Sequence, residues 1–438
     1  MNTQIVRRSR LSIAVAAVAA VALAGCGSAG RSQQSPSTAT MWSLSSGDQP
    51  VIEAAVDRWN NSNPDQQIKV EFFATDAYKA KIRTAVGADQ APTLIFNWSG
   101  GVLQSYVDAG AVEDLTGWLN ENPEVADRYI PSVAENGVID GRTYAIPMTK
   151  TNPATMYYNT DLLKQAGVEI PKTWDDLLAA IPKLKDIGVD PIALGGQSMW
   201  PELIWLEYLV NRQGGPEVWD GILAGEEDAW SDPAVLDALK KIQELVEAGA
   251  FQDSFASTAS NSGSELALLY TGRAAINLQI SSQYQVVKQA APDFVSEGTL
   301  GFAPFPTIDG GAGDPSMVVG SPSTYFSVSS HATDAQQATA KEFLAEGLFD
   351  EEYTQDVIDT GAVPALNGIE TELKDSDDAP FLEYTHSLAS DASEFQLSWD
   401  QALPPAASDT LLSTLSQVFL NQITPEEFVA TMNEVSVE

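Results

Sequence analysis

Between Thr40 and Phe96 three short apolar segments alternate with two amphipathic ones, and this alternation narrows the possible folds more than any other feature. Thr40-Met-Trp-Ser-Leu44 reads as a strand. The turn Ser46-Gly47-Asp48-Gln49-Pro50 follows, with Asp48 placed to cap a helix and Pro50 suited to its first turn. Val51, Ile52, Ala55, Val56 and Trp59 then recur at helical spacing until Asn63-Pro64-Asp65. Ile68 to Phe72 alternates as a second strand, and a helix is predicted over 76–86. Pro92-Thr-Leu-Ile-Phe96 is almost wholly apolar, as a strand covered on both faces must be. Strand, helix, strand, helix, strand is the pattern of an α/β fold around a parallel sheet.

The pattern continues along the chain. Asp140-Gly141 makes a hairpin turn, and Ala154 to Asn159 is a strand running into a helix over 160–166. Thr173 with Asp176 forms a capping-box pattern, Pro191 to Leu194 a strand, and 201–290 is mostly helical. Thr324 to Val328 is a strand, a long helix covers 334–347, and Thr424-Pro425 opens the last helix. The length of 438 residues calls for two or three domains. Against 23 Lys and Arg stand 60 Asp and Glu, a formal net charge of -37, which repels nucleic acid and anionic lipid. With two histidines and one cysteine, His-rich metal sites, His-based triads and disulfides have almost no material. His331 and His386 lie in polar stretches and read as surface residues. The expectation is a protein without catalytic residues, cofactor or metal.

The amino terminus directs the chain out of the cytoplasm. Arg7, Arg8 and Arg10 precede an apolar run over 11–24 that ends Leu23-Ala24-Gly25-Cys26. This is a secretory signal, shorter than the roughly 20 residues of a spanning helix. Leu-Ala-Gly-Cys resembles the bacterial lipobox, which implies cleavage after residue 25 and a diacylglycerol on Cys26, anchoring the chain to the outer face of the cytoplasmic membrane. Either the Sec or the twin-arginine route is compatible with the basic start. Residues 26–38, rich in Gly, Ser and Gln, read as a flexible tether.

Several segments carry a wider resemblance. Ala91-Pro-Thr-Leu-Ile-Phe-Asn97-Trp98, Gly141-Arg-Thr-Tyr-Ala-Ile-Pro147 with Thr155-Met-Tyr-Tyr-Asn-Thr-Asp161, Gly272-Arg-Ala-Ala-Ile276 and Gly361-Ala-Val-Pro364 are similar to the family 1 extracellular solute-binding proteins of ABC importers, which include maltodextrin binders. The resemblance implies a two-lobed periplasmic-binding-protein-like α/β fold with three interlobe crossings and a ligand cleft. Transferred to this chain, one lobe takes 38–148 plus 306–363 and the other 149–305 plus 364–438. It implies a monomeric receptor that passes a neutral oligosaccharide to membrane permease subunits. Within the family the chain is most similar to actinobacterial binders of short β-linked sugars, so xylobiose or a short xylo-oligosaccharide comes first, ahead of chito-, cello- and malto-oligosaccharides. A secreted glycoside hydrolase and a cell-wall adhesion module are the rivals from other classes.

Sugar rings need flat aromatic faces and polar groups around them. Asn97 and Trp98 end an apolar strand, where α/β proteins bind ligands, and Ser46, Gly47 and Asp48 occupy the corresponding loop after the first strand. Gln197 and Trp200 lie in the loop after 191–194, and Trp200-Pro201 is similar to the Trp-Pro pair of maltodextrin binders. The resemblance adds Asn152 beside the first crossing, Gln279 and Tyr284 where the maltose proteins carry a stacking tryptophan, and Trp399 as a second stacking ring. Trp205 and Tyr325 are expected in the core.

Overall fold

The computed structural model describes residues 37–435 apart from 46–47, 261–262 and 349. The signal segment, Cys26, most of the tether, Ser46 and Gly47 therefore lie outside the described residues. Among the described residues thirteen strands follow in chain order: β1 (Ala39–Leu44), β2 (Ile68–Phe73), β3 (Leu94–Asn97), β4 (Val138–Ile139), β5 (Arg142–Thr143), β6 (Ile146–Pro147), β7 (Asn152–Asn159), β8 (Asp190–Ala193), β9 (Ala274–Ile280), β10 (Leu300–Ala303), β11 (Val318–Ser321), β12 (Tyr325–Val328) and β13 (Phe395–Leu397). One sheet has the order β2-β1-β3-β12-β6, and another the order β13-β11-β7-β9-β8 with β10 added on β7. In the first, β1 runs parallel to β2 and β3, and β12 returns antiparallel to β3. All four residues of β3 are buried, which its apolar composition predicts for a strand covered on both faces. β4 and β5 form a separate hairpin whose turn, Asp140 and Gly141, takes positive φ at both positions.

Each sheet centres one lobe, and the chain passes between them at 148–151, at 322–324 and again near 363. The first and third passages are bonded together: the Thr151 amide donates to the Val363 carbonyl at 2.9 Å, and the Ala365 amide to the Thr149 carbonyl at 3.0 Å. The second passage lies later than the expected boundary at 306. β11 finds its partners in β7 and β13, so residues 306–321 lead into the second sheet rather than back to the first.

Local signals with local partners are realised. Thr173 and Thr424 each close a capping box with the acid three residues on. Asp48 does not cap the helix Gln49–Ser62; its carboxylate instead meets the Lys150 ammonium at 2.7 Å on the first passage. His386 is buried, with Nε2 3.0 Å from the Leu366 carbonyl oxygen, while His331 is more exposed and faces Asp89. Trp205 and Tyr325 are fully buried core residues.

Candidate functional site

In the second lobe β8, β9, β11 and β13 all run in one direction, so their carboxyl ends share an edge. The residues at or just beyond those ends enclose a cavity of about 210 Å³, lined by Trp200, Ile204, Ile280, Gly320, Ser321, Ser398, Asp400 and Gln401. This is the edge at which open α/β sheets place ligands. Trp200 opens the helix Trp200–Gly214 after Met199, whose φ of 58° turns the chain sharply at the rim. It is half-buried, and Ile204 follows it one turn later on the same helix face.

Across from this wall, β3 of the first lobe ends in Asn97 and Trp98. The Trp98 ring stands edge-on to Phe96, with centroids 4.8 Å apart, and to Tyr78 at 6.0 Å. The Lys79 ammonium lies 5.3 Å from its centre. Beyond it Ser99 and Gly100 both take positive φ, and the chain enters the helix Gly100–Asp108. That entry is one of the places where the lobes touch; another is the segment 130–136, where Ser132 donates to the Ala389 carbonyl. A Cβ on Gly100 would come within 2.6 Å of Leu397 Cδ2, and one on Gly101 within 2.8 Å of the Ala402 carbonyl oxygen.

Of the residues singled out from sequence, Trp200 lines the cavity, Gln197 is exposed on its rim loop, and Trp98 and Asp48 belong to the opposite lobe. Asn152 borders a second, narrower crevice beside the passages with Ser281 and Thr385, and its buried Oδ1 has no hydrogen-bond partner among the described residues. Three others are turned into the protein. Asn97 donates to Ser327 Oγ at 2.9 Å and accepts from the Ser99 amide. Gln279 is fully buried and donates to Ser260 Oγ at 2.8 Å and to Glu265 Oε1 at 2.6 Å. Tyr284 donates to Asp378 at 2.8 Å and stacks on Phe381 with centroids 3.9 Å apart.

Trp399 corrects the expectation of a stacking ring. It is fully buried, stacked on Trp219 at 4.4 Å and 2° between planes, met edge-on by Trp230, and bonded through Nε1 to Gln396. With one face covered and its edge bonded, it is a core residue. Its neighbours reach the cavity instead. Asp400 and Gln401 were missed because the helix Trp399–Ala402 is a single turn, too short to show periodicity; the one signal was a cluster of polar residues around a tryptophan just before Pro404-Pro405.

The polar side of the cavity is rich in acceptors. Asp400 Oδ1 and Gln401 Oε1 are buried without a hydrogen-bond partner among the described residues. Burial pushes the Asp400 carboxyl above its ordinary range, against the Ser398 hydroxyl and the charge of Lys79. Behind the wall lie three more buried carboxyls. Desolvation pushes Glu202 and Glu207 each up to about 8, and raises Glu265 despite its bonds from Ser260 and Gln279. Unpaired acceptors in a closed space cost free energy until a donor arrives. A neutral molecule with several hydroxyls and an apolar ring face meets both demands, the acceptors through its hydroxyls and Trp200, Ile204 and Ile280 through its face. Among the described residues no group of three or more His, Cys, Asp or Glu is placed to hold a metal ion.

Comparison with known proteins bears on the family and the fold. A model of the bacterial extracellular solute-binding protein family matches residues 42–353. A structure from work on xylan utilization by the thermophilic bacterium Caldanaerobius polysaccharolyticus superimposes with a TM-score of 0.75 at 30% identity, covering 91% of this chain and 99% of that one. A chitin oligosaccharide binding protein gives a TM-score of 0.77 at 25% identity, covering 91% and 97%. A probable sugar-binding periplasmic protein of Mesorhizobium japonicum is 30% identical over 155 residues, 35% of this chain and 36% of that protein. The chain spans about half or less of the length of the curated relatives it matches.

Proposed function

The chain belongs to the bacterial extracellular solute-binding protein family, and from that premise we propose that it is the receptor of an ABC importer for a short neutral oligosaccharide. Xylobiose or a related xylo-oligosaccharide is the first candidate. In this reading the sugar lies against Trp200, gives hydroxyl protons to Asp400 and Gln401, and is covered from the first lobe by Trp98. Closure of the lobes around it is a hinge motion that selects the bound state. The chain performs no chemistry on the sugar and hands it to permease subunits, while a lipid on Cys26 keeps the receptor at the membrane.

The observation that carries this reading is the pairing, in one cavity, of a half-buried indole with two unpartnered acceptors. A volume of about 210 Å³ is below the roughly 300–1,000 Å³ of drug-sized pockets, which favours a short sugar over a long chain. The xylan-utilization neighbour supports the xylo series, and the chitin oligosaccharide binder is the reason to keep the chito series beside it.

The test is a titration of residues 39–438 with xylobiose, xylotriose, chitobiose, cellobiose and maltose, read by tryptophan fluorescence and melting temperature. Ligand at about 100 times Kd stabilises the native state by roughly 2.7 kcal/mol, so a true ligand raises Tm measurably. One series should give saturable binding that Trp200→Ala abolishes. Shortened sugar products after incubation would instead point to a hydrolase, and preference for polymer over disaccharide to an adhesion module.

A further inference from the structure

We propose that Glu207, which no sequence motif marks and which does not line the cavity, is the positioning residue of the sugar site; the inference rests on the reading of that cavity given above. Trp200, Ile204 and Glu207 stand zero, four and seven residues along one helix and so share a face. The first two reach the cavity. Glu207 reaches past it to the turn that supplies the opposite side, Ser398 to Gln401. Its Oε1 accepts two hydrogen bonds there, from Ser398 Oγ at 2.8 Å and from the Trp399 amide at 2.7 Å.

Those two donors sit at the start of the short helix Trp399–Ala402, where the Ser398 carbonyl takes the Gln401 and Ala402 amides and the Trp399 amide needs an acceptor from outside the helix. Glu207 therefore supplies, from a distant element, the acceptor that a local cap would give. The remaining freedom of the turn is removed by the Ser398 amide, which donates to the Gly320 carbonyl at 2.7 Å, and by the stacked Trp399 ring. Ser398, Asp400 and Gln401 are thus held against the cavity by contacts that leave the buried Asp400 Oδ1 and Gln401 Oε1 without a hydrogen-bond partner among the described residues.

Stability alone does not account for an acid here. Glu207 is fully buried, and its Oε2 has no partner among the described residues. An apolar side chain of similar volume would avoid that desolvation, but it would leave the Ser398 hydroxyl and the Trp399 amide without their acceptor. What the apolar residue cannot do is fix the turn, and a site held slightly loose loses affinity through the ordering it must then undergo on binding. Burial pushes the Glu207 carboxyl up to about 8, so near neutral pH it is mostly protonated and a glutamine reproduces both its shape and its acceptor.

The experiment compares wild type, Glu207→Gln and Glu207→Leu for affinity, melting temperature and amide hydrogen exchange without sugar, using xylobiose and chitobiose as probes. Glu207→Gln is expected to bind within about threefold of wild type, and Glu207→Leu about tenfold or more weakly with a lower melting temperature, because it loses preorganisation and leaves the Ser398 hydroxyl and the Trp399 amide without their acceptor. The amides of residues 399–402 should exchange faster in the leucine variant and not in the glutamine one. Glu207→Met takes the place of leucine if that variant does not fold. Wild-type affinity in the apolar variant, or equal loss in both variants, overturns the assignment. A wild type that binds neither probe overturns the reading of the cavity itself, and the assignment with it.

Discussion

The two walls of the cleft are built on opposite plans. The first-lobe wall is a run of aromatic edges, Trp42, Phe73, Tyr78, Phe96 and Trp98, packed side to face and overlaid by lysines: Lys81 sits 4.1 Å above the Trp42 ring and Lys79 beside Trp98. The second-lobe wall sets Trp200, Ile204 and Ile280 beside polar groups, which the buried carboxyls of Glu207 and Glu265 anchor from behind, with Glu202 buried in the same helix as Glu207. The rings of the first wall are set into the core of their lobe, with lysine tails lying along them. Backbone amides and hydroxyls bonded to buried acids cannot shift without leaving a polar group unpaired. One wall is held by apolar packing, and the other by hydrogen bonds from behind.

The contrast is most exposed at its two tryptophans. Trp399→Ala removes a fully buried ring and should cost about 3–5 kcal/mol of folding stability, read as a lower denaturation midpoint. If stability held and only sugar binding disappeared, Trp399 would be a platform and the distinction between the walls would fail.

Next in size is a pH effect carried by the second wall. Glu202 and Glu207 have folded pKa values near 8, above the ordinary 4.5. Their contribution to stability is fully present below about pH 4.5 and is lost as pH rises through 8, on the order of a few kcal/mol in all. Melting temperature should therefore fall between pH 5 and pH 8, and the double variant Glu202→Gln, Glu207→Gln should flatten that slope. Asp114, Asp176 and Asp314 are shifted down by hydrogen bonds, chiefly from Thr116, Thr173 and Ser316, so their contributions disappear only in stronger acid. A melting temperature that rises from pH 5 to pH 8 would count against the buried acids as the distinguishing feature of this wall.

Trp98→Ala should act the other way round from Trp399→Ala. The half-buried ring gives up about 1–2 kcal/mol of stability, while affinity in the fluorescence titration drops about tenfold. The smallest effect is expected from Lys150→Met. Its pair with Asp48 is partly exposed, at 13% and 22% for the two side chains, and should be worth about 1 kcal/mol or less by chemical denaturation.

What could be read from the sequence follows the distance between partners. Thr173 and Thr424 find their acids three residues away, and β3 carries its own apolar signal, so caps and strands were legible. Asp48 looks the same as those caps in sequence, but its partner Lys150 is 102 residues on, and no local pattern announces it. The second passage was misplaced for the same reason: whether β11 joins one sheet or the other depends on β7 and β13, not on its own residues. At the site, Trp200 was legible through its Trp-Pro setting, whereas Asp400 and Gln401 acquire a role only when four strand ends converge. Trp399 shows the converse, since an indole in a polar segment is drawn inward by Trp219, itself 180 residues earlier in the chain.

The contact between Gly101 and the Ala402 carbonyl ties the seam between the lobes to the short helix that lines the cavity. Gly101 is not among the glycines with positive φ, so its own backbone accepts any residue; only the other lobe forbids one. A methyl group there would press on Ala402 and Leu403, at the end of the short helix that carries Asp400 and Gln401. One substitution at this seam would therefore act on the meeting of the lobes and on the cavity wall together, so that neither can be altered without the other.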